Sequence, residues 1–291
     1  MLQSILMVWV LSQDIALSAV AYERDMGYLP GDRGVFSESM ATALDRPEIA
    51  GQQYLTLYPP SGPQVGLRLV EAPLTDYYPM RRLGWSAIEM LVRDPDSLRK
   101  DLQMPDFEYL AGPAFLSSQR NVYAMQALGP SRELLYLTHI LDPEKTLLKA
   151  PPTTTAVGHT FIMVMGSNNL SHSLQFFKTH FDNAVTEPIK FRIDVLSDAY
   201  GLPRETQHAL AMVSMAQPFG IEIDQYPEGA AAIPDQEQAR GGVFLVTVSV
   251  DSARLKKPLP FVSRDLDNAG AITGGIILMP SGTPLEVIYD Q

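Results

Sequence analysis

Few side chains in this sequence can do chemistry, which makes their spacing informative. There is no cysteine, which excludes a thiolate nucleophile, a thiolate metal site and a disulfide. Among five histidines, His159 follows a glycine at the opening of an apolar run, Gly158-His159-Thr160-Phe161-Ile162-Met163-Val164. Two acids have aliphatic neighbours on both sides: Glu222 between Ile221 and Ile223, and Glu286 between Leu285 and Val287. On a strand, alternation turns such an acid away from its neighbours, to solvent or into a polar cavity. For one acid alone the solvated face is the commoner outcome. Inside a cavity a carboxylate needs donors or a cation, so two Glu and a His in one place would form an acid–base centre or hold a divalent ion. His208 precedes the apolar Leu210-Ala211-Met212-Val213 and would add an imidazole to such a site if its register turns it inward. Tyr200 and Tyr289 would orient a substrate if they line the cavity, and otherwise pack in the core or at its rim. His172 and His180 fall on a helical stretch and read as structural.

The elements that must position these residues form a repeat. Leu83-Gly84-Trp85-Ser86-Ala87-Ile88-Glu89-Met90 aligns with Val157-Gly158-His159-Thr160-Phe161-Ile162-Met163-Val164 and with Arg240-Gly241-Gly242-Val243-Phe244-Leu245-Val246-Thr247. A weaker copy, Met1-Leu2-Gln3-Ser4-Ile5-Leu6-Met7-Val8, opens the chain. The copies lie about 75 to 85 residues apart, too long for a solenoid unit and right for half a small domain. At the position after the glycine stand Gln3, Trp85, His159 and Gly242.

Each copy reads as a strand, a helix and two or three further strands. In the first, Ser4 to Leu11 is a strand, Asp14 caps a helix over Ile15 to Met26, and Gly27 ends it. In the second, Asp94-Pro95-Asp96 opens a helix through Asp101. In the third, Asn168-Asn169 starts a helix from Leu170 to Phe181, and strands follow at Phe191 to Leu196, His208 to Met215 and Ile221 to Gln225. In the fourth, Pro258 and Pro260 stand where the helix should be and exclude it. The stretch from Leu141 through Thr155 is rich in Pro and Thr and reads as a linker. The predicted organisation is a first domain over 1–142, a linker over 143–155 and a second domain over 156–291, each domain holding two consecutive modules.

Composition narrows the partners. A hydrophobic fraction of 46% against 19% charged is that of a globular protein with material for a core. The net charge of -11 opposes a broad grip on nucleic acid or anionic lipid. The 13 methionines read as core filler. The run Ile5-Leu6-Met7-Val8-Trp9-Val10-Leu11 has the look of a secretory apolar region, but no Lys or Arg precedes it, Asp14 interrupts it and the repeat needs it as a strand. No run reaches membrane-spanning length. A cytoplasmic location is expected. No phosphate loop, dinucleotide fingerprint, nucleophile elbow or zincin motif is present.

Paired βαβββ modules whose strands read Gly158-His159-Thr160-Phe161 at the start and Phe219-Gly220-Ile221-Glu222-Ile223 at the end resemble the vicinal oxygen chelate superfamily. That group includes glyoxalase I, the bleomycin-resistance proteins and the type I extradiol dioxygenases. The resemblance covers nearly the whole chain and implies an α+β fold of four βαβββ modules in two glyoxalase-like domains, each a curved mixed sheet with helices outside. In the family, paired modules form a cup, and metal ligands come from the first and last strand of each module. Carried over by position, the second domain offers His159, Glu222 and Glu286, with Gly242 at the fourth place. The first domain offers Gln3, Arg68, Trp85 and Tyr136, no plausible ligand set. The resemblance thus implies a divalent ion (Mn²⁺, Fe²⁺, Ni²⁺ or Zn²⁺) on His159, Glu222 and Glu286, with Glu222, Glu286 or His208 moving a proton. It implies a lyase, isomerase or dioxygenase acting on a small oxygen-chelating substrate, as a monomer or homodimer. Extradiol cleavage uses two His and one carboxylate, and Gly242 stands where the second His would be. The alternative is a metal-free binding protein of the bleomycin-resistance type, with Trp85, Tyr136 and Arg68 lining the first cup.

Overall fold

The structure, a computed structural model, describes residues 1–73, 77–230, 241–266, 268 and 270–290. Arg240, which opens the fourth copy of the repeat, lies outside them. The first module comprises β1 (Leu2–Ser12), α1 (Ile15–Met26), β2 (Leu29–Val35), α2 (Glu38–Ala43), β3 (Gln53–Tyr58) and β4 (Gly66–Glu71). The second comprises β5 (Gly84–Val92), α3 (Pro95–Asp101), β6 (Glu108–Phe115), β7 (Val122–Leu128) and β8 (Leu134–Ile140). The third has β9 (Val157–Ser167), α4 (Leu170–His180), β10 (Ile189–Arg192), α5 (Asp194–Ala199), β11 (Gln207–Ser214) and β12 (Gly220–Gln225). The fourth has β13 (Gly242–Val250), β14 (Phe261–Leu266), β15 (Ile272–Leu278) and β16 (Pro284–Tyr289).

Local rules explain most of these bounds. The Asp14 carboxylate accepts from Ala16 N at 3.0 Å and Leu17 N at 2.9 Å, satisfying two of the open N–H groups of α1. Gly27 ends α1 at φ 70°, in the left-handed region that glycine enters without steric cost. Asp94, with Pro95 behind it, starts α3, and Asn169 caps α4 through His172 N. As Pro258 and Pro260 require, the fourth module has no α-helix among its described residues, only 3₁₀ turns over Ser252–Arg254 and Pro280–Gly282. One element departs from the pattern. The strand expected over Phe191 to Leu196 stops at Arg192, and Asp194–Ala199 coil into α5. Burying Val195, Leu196 and Ala199 on one side of that turn outweighs their strand preference.

Two eight-stranded sheets result. Their orders are β14-β15-β16-β13-β1-β4-β3-β2 and β10-β11-β12-β9-β5-β8-β7-β6. Within each module the first and last strands are parallel neighbours, for example β1 with β4 and β9 with β12. Modules join through antiparallel pairing of first strands, β1 with β13 and β5 with β9. The sheets therefore do not follow a division into consecutive halves at 142 and 156: module one pairs with module four, and module two with module three. One continuous core lies behind both sheets. It takes Val8, Leu67, Val248 and Val287 from the first and Ile88, Leu137, Met163 and Ile223 from the second, with Tyr22 and Phe177 from helices. Trp85 Nε1 donates to the Pro284 carbonyl at 2.7 Å and ties the sheets together. Among the described residues no helix is long and apolar enough to cross a membrane.

Candidate functional site

The face of each sheet turned away from the common core forms a cup. In the first sheet, Arg68 is registered against Trp9 and Thr56, and Thr247 against both Met7 and Glu286. These side chains share one face, since Leu67, Leu69, Leu285 and Val287 alternate into the core. They fill the cup themselves. Trp9 Nε1 donates to Thr247 Oγ1 at 2.8 Å, and Thr247 Oγ1 donates in turn to the Glu286 carboxyl. The Arg68 guanidinium lies 4.7 Å over Trp9 and 4.3 Å over Tyr54, and donates to Thr56 at 2.7 Å and to Asp32 at 2.6 Å. Phe36, leading into α2, closes edge-on against Trp9 at 5.5 Å and Phe244 at 5.8 Å. Burial raises the Glu286 pKa, opposed by the Thr247 bond.

The second cup is chemically different. Glu89 on β5 is registered against Tyr136 on β8, and Glu222 on β12 against Val164 and Met212. Asp224 follows two residues after Glu222, on the same face. Glu89 is 8% exposed and Asp224 fully buried, whereas Glu222 is half-buried. Thr138 Oγ1 donates to Glu89 at 2.7 Å. The buried Tyr136 hydroxyl has no partner, and as an ionised group Asp224 finds no donor for either oxygen. A proton held between Asp224 and its neighbour Glu222 would satisfy both. Burial pushes Glu89 and Asp224 up to about 7, and burial together with the charges of Asp224 and Glu89 holds Glu222 well above the usual range. All three carboxyl groups are thus held above the usual carboxylate range.

The structure does not unite His159, Glu222 and Glu286. Glu286 stands in the first cup because β16 belongs to the first sheet, while Glu222 stands in the second. His159 shares the second sheet but lies five residues along β9 from Val164, the residue beside Glu222, about 16 Å of strand. Its ring packs 5.4 Å from Phe219, its Nε2 is buried without a partner, and burial lowers its pKa. Among the described residues no three His, Asp or Glu side chains are placed to hold a metal ion, so the donor set does not fit the expected divalent ion. Gly242 has φ 79°, a conformation that L side chains rarely adopt, and a Cβ there would crowd the Tyr77 ring and hydroxyl, so a histidine in its place would be strained.

His208 does lie on the Glu222 face of β11, since Met212 is registered against Glu222 and Leu210 against Asp224. It stands one further same-face position, about 7 Å, beyond Leu210. It is 6% exposed and its Nε2 is engaged by Ser197 Oγ of α5 at 2.9 Å. Tyr289 sits on the face opposite Glu286, edge-on to Phe261 at 6.0 Å, away from the cup. Tyr200, at the end of α5, lines a cavity of about 900 Å³ with Tyr77, Tyr78, Arg81, Arg82 and Gly229. Trp85, Tyr136 and Arg68 line no common cup: Arg68 is in the first sheet, Tyr136 in the second, and Trp85 bonds across to Pro284. The acids that the sequence pattern passed over are Glu89 and Asp224. Glu89 lies between Ile88 and Met90, the same flanking that marks Glu222, and Asp224 follows from alternation.

No protein-family model and no curated protein matches this chain. Its fold, however, has clear counterparts. Glyoxalase I from Zea mays superposes with a TM-score of 0.63 at 12% identity, covering 98% of this chain and 92% of that one. A proposed dioxygenase from Bacillus subtilis superposes with a TM-score of 0.60 at 9% identity, covering 99% and 86%. With three βαβββ modules and a fourth that lacks the helix among the described residues, arranged in two curved eight-stranded sheets and matched over nearly its whole length, the chain has the fold of the vicinal oxygen chelate superfamily.

Proposed function

We propose that the protein binds a small organic molecule at the second cup and moves a proton on it, as an isomerase or lyase, with the Glu222–Asp224 pair as acid and base. The observation that carries this is a cluster of carboxyl groups on one face: half-buried Glu222, fully buried Asp224 with no partner for either oxygen, and buried Glu89, beside the unpartnered Tyr136 hydroxyl. Carboxyl groups raised well above the usual carboxylate range, as Glu222 and Asp224 are, are matched to proton transfer nearer neutral pH. Glu222, the accessible member, would meet the substrate. Asp224 would hold or return the proton, and Tyr136 would donate to a developing oxyanion. Tyr200 would orient the substrate from the cavity side.

A divalent-metal lyase, isomerase or dioxygenase centred on His159, Glu222 and Glu286 lacks support, because those donors stand apart. Binding without turnover, in the manner of a sequestering protein, is the second reading; the Tyr- and Arg-lined cavity favours it. The test is solvent exchange. Small 2-oxo and 2-hydroxy carbonyl compounds are incubated with protein in D₂O, and loss of their C–H signals is followed by NMR. Protein-dependent exchange should fall about a hundredfold or more in Glu222→Gln and Asp224→Asn. Exchange that persists in the double variant would refute the assignment, and binding with no exchange would favour the sequestering reading.

A further inference from the structure

The cavity beside the second cup has chemistry of its own. Two guanidinium groups, Arg81 and Arg82, meet Tyr77, Tyr78 and Tyr200 there, in a chain whose net charge is -11. Arg81 is fixed in place. Its Nε donates to the Ala199 carbonyl at 2.8 Å, and its guanidinium lies 4.6 Å over the Tyr78 ring. Arg82 Nη1 is buried without an acceptor, and so is the Tyr200 hydroxyl. Among the described residues neither arginine has an ion-pair partner. Elsewhere this protein pairs its arginines readily, as with Arg132 and Glu108, or Arg204 and Asp198. Donors left open and buried are unfavourable unless something supplies an acceptor. An oxyanion in the cavity would accept from both.

We infer that this cavity binds a small organic anion, its carboxylate or phosphate held by Arg81 and Arg82 and its planar ring set among Tyr77, Tyr78 and Tyr200. Guanidinium forks match the geometry of such oxyanions, and tyrosine faces suit a planar apolar body. The cavity's size suits a ligand of that kind. Tyr200 lies edge-on to Tyr226 at 6.3 Å, and Asp224 is the leading charged neighbour of Tyr226. An anion anchored here would therefore extend toward the carboxyl cluster. The inference deepens the proposed function by giving its substrate class, and rests on that reading only for what happens to the bound molecule.

The experiment is isothermal titration of the full chain with benzoate, phenyl phosphate and neutral benzamide, in wild type, Arg82→Gln, Tyr200→Phe and Asp224→Asn. Wild type should bind an anion and not benzamide, and the preferred anion tells carboxylate from phosphate. Arg82→Gln should weaken that binding about tenfold or more, and Tyr200→Phe, which removes only a hydroxyl, a few-fold. Asp224→Asn should retain anion binding even where it abolishes proton exchange, which separates failure of this site from failure of the cup. No binding of either anion, equal binding of benzamide, or undiminished affinity in both Arg82→Gln and Tyr200→Phe would overturn the inference.

Discussion

Glu89→Gln isolates the protonation state of the second cup. In the folded protein Glu89 is 8% exposed, and burial outweighs the single bond donated by Thr138, pushing its pKa from 4.5 up to about 7. In the unfolded chain it titrates near its ordinary value. Between those two pH values the folded state holds one more proton than the unfolded state, so stability falls as pH rises through this window and the full cost is present above about 7. The rise from 4.5 to about 7, at about 1.4 kcal/mol per pH unit, corresponds to about 3 kcal/mol. Glutamine keeps an oxygen to accept from Thr138 and cannot ionise. Urea denaturation of wild type and Glu89→Gln, at about pH 4.5 and about pH 8, measures the effect. The variant should gain about 3 kcal/mol over wild type between the lower and the higher pH. Glu133, fully buried and also raised to about 7, makes both proteins less stable at high pH and cancels in the difference. An equal stability difference at both pH values would mean that Glu89 ionises in the fold at an ordinary pH, and the protonated-cluster argument would fail.

Two further outcomes concern the first sheet. Gly242→His should cost about 2 kcal/mol or more in thermal or urea unfolding, because φ 79° disfavours any side chain and Tyr77 occupies its space; a stable variant with newly acquired metal affinity would contradict this. Arg68→Met should destabilise by about 1.5 to 3 kcal/mol through loss of two ring contacts and the bonds to Thr56 and Asp32, which leaves the cup polar groups short of donors. An unchanged urea midpoint there would show that the filled cup contributes little to the fold.

Much of the architecture was legible because it rests on short-range rules. Asp14 and Gly27 bound α1 by capping, Pro258 and Pro260 forbid the fourth helix, and the repeated apolar openings mark the first strand of every module. Alternation correctly turns Glu222 away from Ile221 and Ile223, and applied to Glu89 and Asp224 it would have found the other acids. Which modules share a sheet was not legible. The first strands are almost wholly apolar, with β5 and β13 buried at every position, and apolar burial has no direction. Pairing β1 with β5 would satisfy the same pattern as pairing β1 with β13. That single choice sends Glu222 and Glu286, equivalent in the repeat, into different cups. It also fills one cup with Trp9 and Arg68 and leaves the other with carboxyl groups. Local patterns were enough to mark the modules and the faces their side chains occupy. Which faces meet follows only from the assembled fold, because contacts between strands far apart in the chain depend on the packing of the whole core and not on any local pattern.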